Sequence, residues 1–302
     1  GFFIWNTNIT NKFEQSIADV YNNKGNFIAN KTIISYDNFK SINDWLITTR
    51  KRNREVNIAF MSCKGSDFQT VSLNFIVNEK KSLPHARGTW ITDKNLIESS
   101  IYYAVRHCLT ATWLNDRDQF LFPNDDWQTD TEFQNDCLAY TLFNTNILSQ
   151  EGTNHWIPFT EQEVNAQAKF ASNFMTDFMK GKIKPEVAET SLFDEAKTTE
   201  QKPLVFSEEA TAVFDAGREL WKYYHAHPSF GSGVGGESKP YNVNASLYDI
   251  REYFQGRNDK GRMNSKSDDA TYMELIGNLR TQLALLAEQI KPKVYAYGFL
   301  KE

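Results

Sequence analysis

Apolar residues change their period near residue 90 of this chain. Before that point they alternate or gather in short runs, and after it they recur three and four apart. Alternation predicts strands, and three-four spacing predicts amphipathic helices. Strands are expected over 2–5, over Ile17 to Tyr21 and Phe27 to Ser35, and over Val56 to Met61 and Val71 to Val77. The second and third of these flank Asn22-Asn23-Lys24-Gly25-Asn26, residue types that suit a hairpin turn. Lys64-Gly65-Ser66 reads as the loop between the last two. A short helix over 40–50, capped by Asp37 or Ser41, sets Ile42, Trp45 and Leu46 on one face.

The helical part follows. Thr92 is expected to cap a helix over 93–114 with Leu96, Ile101, Ala104, Val105, Cys108 and Leu109 in its stripe. A second helix spans about 130–144. Thr160 and Glu163 form a T-x-x-E capping box for a helix ending before Gly181. Ser207 caps a helix over 208–226, and Asn244 or Ser246 opens one that stops at Gly256. The last helix runs over 268–290, with Tyr272, Ile276, Leu279, Leu283, Leu286 and Ile290 among its apolar positions. The expected fold class is α+β, a strand-rich N-terminal third followed by a mainly helical remainder. The expected division is a mixed segment over 1–90 and a helical domain over 91–302. Residues 195–206 and the Gly/Ser-rich 229–240 have connector composition.

The chain's 302 residues, 40% of them hydrophobic, are enough to bury a large core. No run of about 18 apolar residues offers a membrane-spanning helix. Cys63, Cys108 and Cys137 are far apart and form no disulfide framework, which fits small buried side chains in a reducing cytoplasm. Gly1 to Trp5 lacks the basic flank of a signal peptide and reads as a strand. With no initiating Met, the sequence is expected to be part of a longer chain. Net charge is −5 but uneven. Residues 1–94 hold 13 Lys and Arg against 8 Asp and Glu, whereas 110–163 hold Arg117 as the one cation against ten carboxylates. The front is suited to phosphate contact and the acidic middle is not.

Candidate chemistry is sparse. Gly231-Ser232-Gly233-Val234-Gly235-Gly236 lacks the preceding strand of a phosphate loop and reads as a connector. His225 and His227 are spaced like zinc ligands, but nothing nearby completes a site, and a helix end also favours histidine. Asp116, Asp118, Asp125, Asp126 and Asp130 crowd one loop, read as solvated and partly paired with Arg117 and Arg106. Asp67 with Glu79-Lys80-Lys81 has the D…E-x-K order of metal-dependent nucleases, where two carboxylates hold Mg²⁺ and the lysine orients a water. Arg50-Lys51-Arg52-Asn53-Arg54 ends a helix and reads as either a solvated cationic end or a phosphate contact. Residues 256–266 put Arg257, Lys260, Arg262 and Lys266 in one loop with Asn258 and Asn264. That chemistry suits both DNA contact and a plain surface loop. The chain has no G-x-S-x-G, Walker loop, H-E-x-x-H, D-F-G, F-x-G-x-G or Asn/Asp-Pro-Pro-Tyr.

Several phrases carry a resemblance. They include Gly1-Phe2-Phe3-Ile4-Trp5-Asn6-Thr7-Asn8, Ala18-Asp19-Val20-Tyr21 and Ile42-Asn43-Asp44-Trp45. Tyr102-Tyr103-Ala104-Val105-Arg106-His107-Cys108, Trp113-Leu114-Asn115-Asp116-Arg117-Asp118-Gln119-Phe120 and Thr129-Asp130-Thr131-Glu132-Phe133 follow. Val213-Phe214-Asp215-Ala216-Gly217-Arg218-Glu219-Leu220-Trp221 and Asn244-Ala245-Ser246-Leu247-Tyr248-Asp249-Ile250-Arg251 complete the set. Over most of its length the chain resembles the C-terminal part of bacterial adenine-specific DNA methyltransferases of restriction-modification systems. That resemblance implies a parent whose core binds S-adenosylmethionine and holds a flipped adenine in an Asn-Pro-Pro-Tyr motif for transfer to N6. Both motifs would lie upstream of Gly1, so no catalytic residue and no cofactor site is assigned here. Residues 1–90 would be the end of that core or the start of a recognition region. It further implies binding to double-stranded DNA. Phosphate contacts would come from Arg50, Lys51, Arg52, Arg54, Arg257, Lys260, Arg262 and Lys266, and Asn258 and Asn264 would face adenine edges. Two readings of other classes stay open. One is a helical module docking a restriction or helicase subunit through the acidic 110–163 segment. The other is a Mg²⁺-dependent nuclease using Asp67, Glu79 and Lys81.

Overall fold

A computed structural model of the chain describes residues 15–22, 24–34, 57–63, 73–78, 88–110, 125–145, 147–149, 154–182, 202–230 and 240–300. Within them the fold is mixed α and β, strands first and helices later. Strands β1 (Gln15–Tyr21) and β2 (Phe27–Ile34) form an antiparallel hairpin whose register slips between Val20 and Tyr21. The turn is held by Asn22, whose Oδ1 accepts from the N–H groups of Lys24 and Asn26, both at 2.9 Å. A second sheet has the order β4-β3-β5, with β3 (Ala59–Ser62), β4 (Phe75–Val77) and β5 (Gly88–Ile91) all antiparallel. Every residue of central β3 is buried, which is why Ala59, Phe60 and Met61 follow one another without apolar–polar alternation.

Six helices follow among the described residues: α1 (Leu96–His107), α2 (Thr131–Asn144), α3 (Phe174–Met179), α4 (Glu208–Ala226), α5 (Leu247–Gln255) and α6 (Ala270–Ala296). Helices α2, α4, α5 and α6 each begin at a side chain that satisfies a free backbone N–H. Asp130 accepts from Phe133, Ser207 from Ala210 and Asp269 from Tyr272. Ser246 and Asp249 form a reciprocal capping box on α5. Helix α1 packs on α2, α2 packs on α4 and α6, and α4 packs on α6. One continuous core runs from Ile58 in the sheet through Trp221 to Leu300, on both sides of residue 90. Its centre is aromatic: Phe143, Phe159, Phe214 and Trp221 meet edge to face or tilted, with Phe159 and Trp221 centroids 5.4 Å apart. Helix α4 reaches this cluster through Gly217. A Cβ there would sit 2.4 Å from the Phe143 ring, so only glycine allows the helices so close. Among the described residues, no helix is long and apolar enough to cross a membrane.

The structure departs from the sequence expectations in four places. Helix α1 starts at Leu96, not 93, because Asn95 is committed to a turn. Its Oδ1 accepts from Thr92 N–H at 2.8 Å and its Nδ2 donates to the Trp90 carbonyl at 2.8 Å. That helix also ends at His107, well short of 114. The Thr160–Glu163 box does form, with the carboxylate accepting from Thr160 N–H at 2.8 Å. It opens no helix, because Asn165 adopts a left-handed φ of 56°; the helix there is the short α3. Strand β5 was not expected. Helix α6 passes through Pro292 to Ala296, six residues beyond the expected end. The strand over 2–5, the helix over 40–50, the loops at 64–66 and 231–236, and the nuclease-like Asp67, Glu79 and Lys81 lie outside the described residues.

Candidate nucleic-acid interface

The loop between α5 and α6 is built as a small ribbon. Helix α5 stops at Gly256, whose φ of 65° turns the chain away while its N–H bonds the Glu252 carbonyl at 2.8 Å. Arg257 then bridges antiparallel to Met263. Asn258 N–H donates to the Arg262 carbonyl at 2.9 Å, and Asn264 N–H donates to the Gly256 carbonyl at 3.0 Å. The tip is closed by Asn258, whose Oδ1 accepts from Lys260 and Arg262 N–H, both at 3.0 Å. This is the local bond that makes asparagine a turn residue.

Three side chains fasten the ribbon to the helices. Asn264 Nδ2 donates to the Gln255 carbonyl at 2.9 Å, and Gln255 Nε2 returns a bond to the Asn264 carbonyl. Gln255 Oε1 accepts from the buried Tyr272 hydroxyl at 2.8 Å, which ties the loop to the start of α6. Arg257 spreads its fork over three groups: the Glu252 carboxylate at 2.5 Å, the Gly261 carbonyl at 2.7 Å and the Tyr248 hydroxyl at 3.3 Å. The hydrogen bonds to Glu252 and Tyr248 push the Arg257 pKa above its ordinary value, so the guanidinium stays charged as a fastener.

The six expected contact residues of this loop therefore divide by role. Arg257, Asn258 and Asn264 hold the frame. The Asn258 Oδ1 accepts two bonds and the Asn264 Nδ2 donates one within the loop, so both amides take part in holding it. Lys260, Arg262 and Lys266 are exposed, and none has an ion-pair partner among the described residues. Arg50, Lys51, Arg52 and Arg54 lie outside the described residues. Arg106, expected near the acidic loop, is instead buried in α1 with its guanidinium 4.0 Å from the Tyr102 ring centroid.

His225 and His227 also serve structure. His225 is buried and its Nδ1 shares a 2.8 Å hydrogen bond with the Tyr241 hydroxyl, and burial pushes its pKa down to about 4. His227 Nδ1 contacts the Tyr223 carbonyl at 2.7 Å. Two further cations are not singled out by the sequence. Arg251 shares a face of α5 with Tyr248, Glu252 and Gln255, a three-four spacing visible in the sequence. Arg280 stands two turns beyond Tyr272 on α6, and no sequence signal links it to α5. Comparisons with family models, with curated proteins and with solved structures return no match for this chain.

Proposed function

We propose that this chain engages double-stranded DNA as the C-terminal, target-recognition part of an adenine-N6 DNA methyltransferase. The observation that carries the reading is the loop over 256–266: three exposed cations on a ribbon whose frame is fixed from inside. A frame set before binding lowers the ordering cost of each contact. Cations without carboxylate partners are free to displace counterions from phosphates. The methyltransferase-like phrases supply the identity of the parent enzyme. On this reading S-adenosylmethionine and the catalytic motif belong to a part of that enzyme absent from this sequence, and no catalytic step is assigned to these residues. The contacts of Lys260, Arg262 and Lys266 are backbone-positioning contacts, which set the register on the duplex rather than read its bases.

The test is titration of the chain with a fluorescent duplex over a salt series. Wild type is expected to bind with a steep dependence on salt. Replacing Lys260, Arg262 and Lys266 together with glutamine is expected to weaken binding and to lower the log–log slope by about 0.9 for every phosphate no longer neutralised. Absence of salt-dependent binding, or a slope unmoved by the triple substitution, overturns the reading.

A further inference from the structure

A cavity of about 410 Å³ lies between α4, α5 and residues 240–242, a size that suits a small-molecule site. Its mouth is formed by Pro240, which is exposed, and by the half-buried Ser149, Tyr241 and Asn242. Its deeper lining is Tyr224 of α4 with Tyr253 and Asp249 of α5, which are 1%, 3% and 6% exposed. Asp249 and Tyr253 are four residues apart and so share a face of α5. Tyr224 and Tyr241 stack with centroids 5.2 Å apart and planes 25° apart. Tyr253 stands across Tyr224 at 83°, with centroids 5.0 Å apart. The rings therefore make two aromatic walls that meet near a right angle. Each wall is pinned by its hydroxyls. Tyr224 donates to the Asn242 carbonyl at 3.0 Å and accepts from the Asn242 N–H at 2.9 Å. Tyr253 donates to the His227 carbonyl at 2.8 Å, and Tyr241 shares a 2.8 Å bond with His225 Nδ1. Asp249 is fixed in the same way: its Oδ2 accepts from Ser149 N–H at 2.7 Å and from the Ser246 N–H and hydroxyl at 3.0 and 2.8 Å. The lining is thus set before any ligand arrives, which lowers the ordering cost of binding.

The lining selects by charge. Among the described residues that line the cavity, Asp249 is the one charged group. A phosphate or carboxylate ligand would meet that like charge in a partly enclosed site. A hard metal ion gains little from tyrosine rings, because it binds through oxygens and keeps its waters. An organic cation gains from both features: the faces of the rings carry negative quadrupole charge, and the carboxylate adds attraction. Its apolar body fills the space that the rings line. We infer that this cavity binds a small organic cation of the quaternary or methylated ammonium type. None of its lining residues belongs to the cationic loop, so the site goes beyond the function proposed above and does not rest on it.

The test is calorimetric titration of the whole chain with choline chloride, with sodium chloride at matched ionic strength as the reference. A parallel titration uses the neutral isostere of choline, in which carbon replaces the nitrogen. Wild type is expected to bind choline and to bind the isostere more weakly. Tyr241→Leu keeps an apolar rim and removes one ring. It is expected to weaken choline about tenfold, the scale of one cation–π contact in a desolvated site. Tyr241→Phe loses the same bond to His225 but keeps the ring, and is expected to bind choline as wild type does. The two variants separate the ring from the bond that pins it. No choline binding by wild type, equal binding of choline and its isostere, or equal behaviour of Tyr241→Leu and Tyr241→Phe overturns the inference. Replacing Lys260, Arg262 and Lys266 is expected to leave choline binding unchanged, so the cavity and the DNA reading can fail separately.

Discussion

Two buried side chains make opposite demands on pH. His225 is 2% exposed and its pKa is pushed down to about 4 by burial, so the folded chain holds it neutral where the unfolded chain protonates it. Its contribution to stability is therefore present above the unfolded value of 6.5 and is lost as pH falls toward 4. Asp136 is 1% exposed at the junction of α2 and α4, where its carboxylate accepts from Ser207 N–H at 3.1 Å. Burial outweighs that bond and pushes its pKa up to about 6. Its contribution is present below 3.8 and is lost as pH rises through 6. Across roughly pH 4 to 6 the two contributions change in opposite directions and by similar totals, on the order of 3 kcal/mol each, so they largely offset. Single variants separate them. His225→Phe is expected to leave stability falling as pH rises through this window, and Asp136→Asn to leave it rising. Urea midpoints at pH 4, 5 and 6 check both signs; identical pH profiles for wild type and both variants would rule the account out.

At the level of elements, the loop over 256–266 separates frame from charge. Asn264→Ala removes a latch to Gln255 and leaves every cation in place. It is expected to cost about 1 kcal/mol of stability and to weaken DNA binding at all salt concentrations without changing the salt slope. Lys260→Gln is expected to do the reverse, with a lower slope and unchanged urea midpoint. Parallel salt titrations of the two variants distinguish them. This division was not legible from composition, because a loop's residue types do not say which are turned inward. What was legible has a local cause. The hairpin around Asn22 and Gly25, the Ser207 and Ser246 caps and the stop at Gly256 each rest on bonds within a few residues. What failed depended on side-chain bonds and packing that the spacing of apolar positions does not announce. The Thr160–Glu163 box looked like a helix start, but Glu161 spends its carboxylate on Phe170 N–H at 2.8 Å and its carbonyl on Ala166 N–H at 2.9 Å, which stabilises a turn. Helix α6 survives the missing N–H of Pro292 because Val294, just beyond it, is fully buried and Lys293 is paired with a residue far back in the chain.

That pairing closes the whole molecule. Asp130, the cap of α2, holds the far end of α6 with its second oxygen, which accepts from Lys293 Nζ at 2.8 Å and the Tyr297 hydroxyl at 2.5 Å. Just beyond, Phe299 is buried against Trp127 and Phe133, so the last described residues complete the core at the place where α2 begins. One carboxylate thus joins a local task, capping, to a contact across more than half the chain. Burial works to raise the Asp130 pKa, but the bonds from Lys293, Phe133 N–H and Tyr297 outweigh it and hold the group below its ordinary 3.8. Its stabilisation is therefore present above that value and disappears as pH falls through the lower folded value. Asp130→Asn keeps a capping oxygen and loses the charge. It is expected to lower stability by about 2 kcal/mol at neutral pH, the scale of hydrogen bonds to a charged group, and by progressively less as wild type is acidified below pH 4. The Lys293 and Asp130 side chains are 30% and 19% exposed, so most of this difference should survive added salt. Urea unfolding of both proteins at neutral and acid pH, each with and without salt, measures it. No difference at neutral pH would mean that Asp130 acts only as a cap and that the end of α6 is held by Phe299 and Leu300 packing alone, and a difference that stays constant down to acid pH would mean that its charge is not what holds Lys293 and Tyr297.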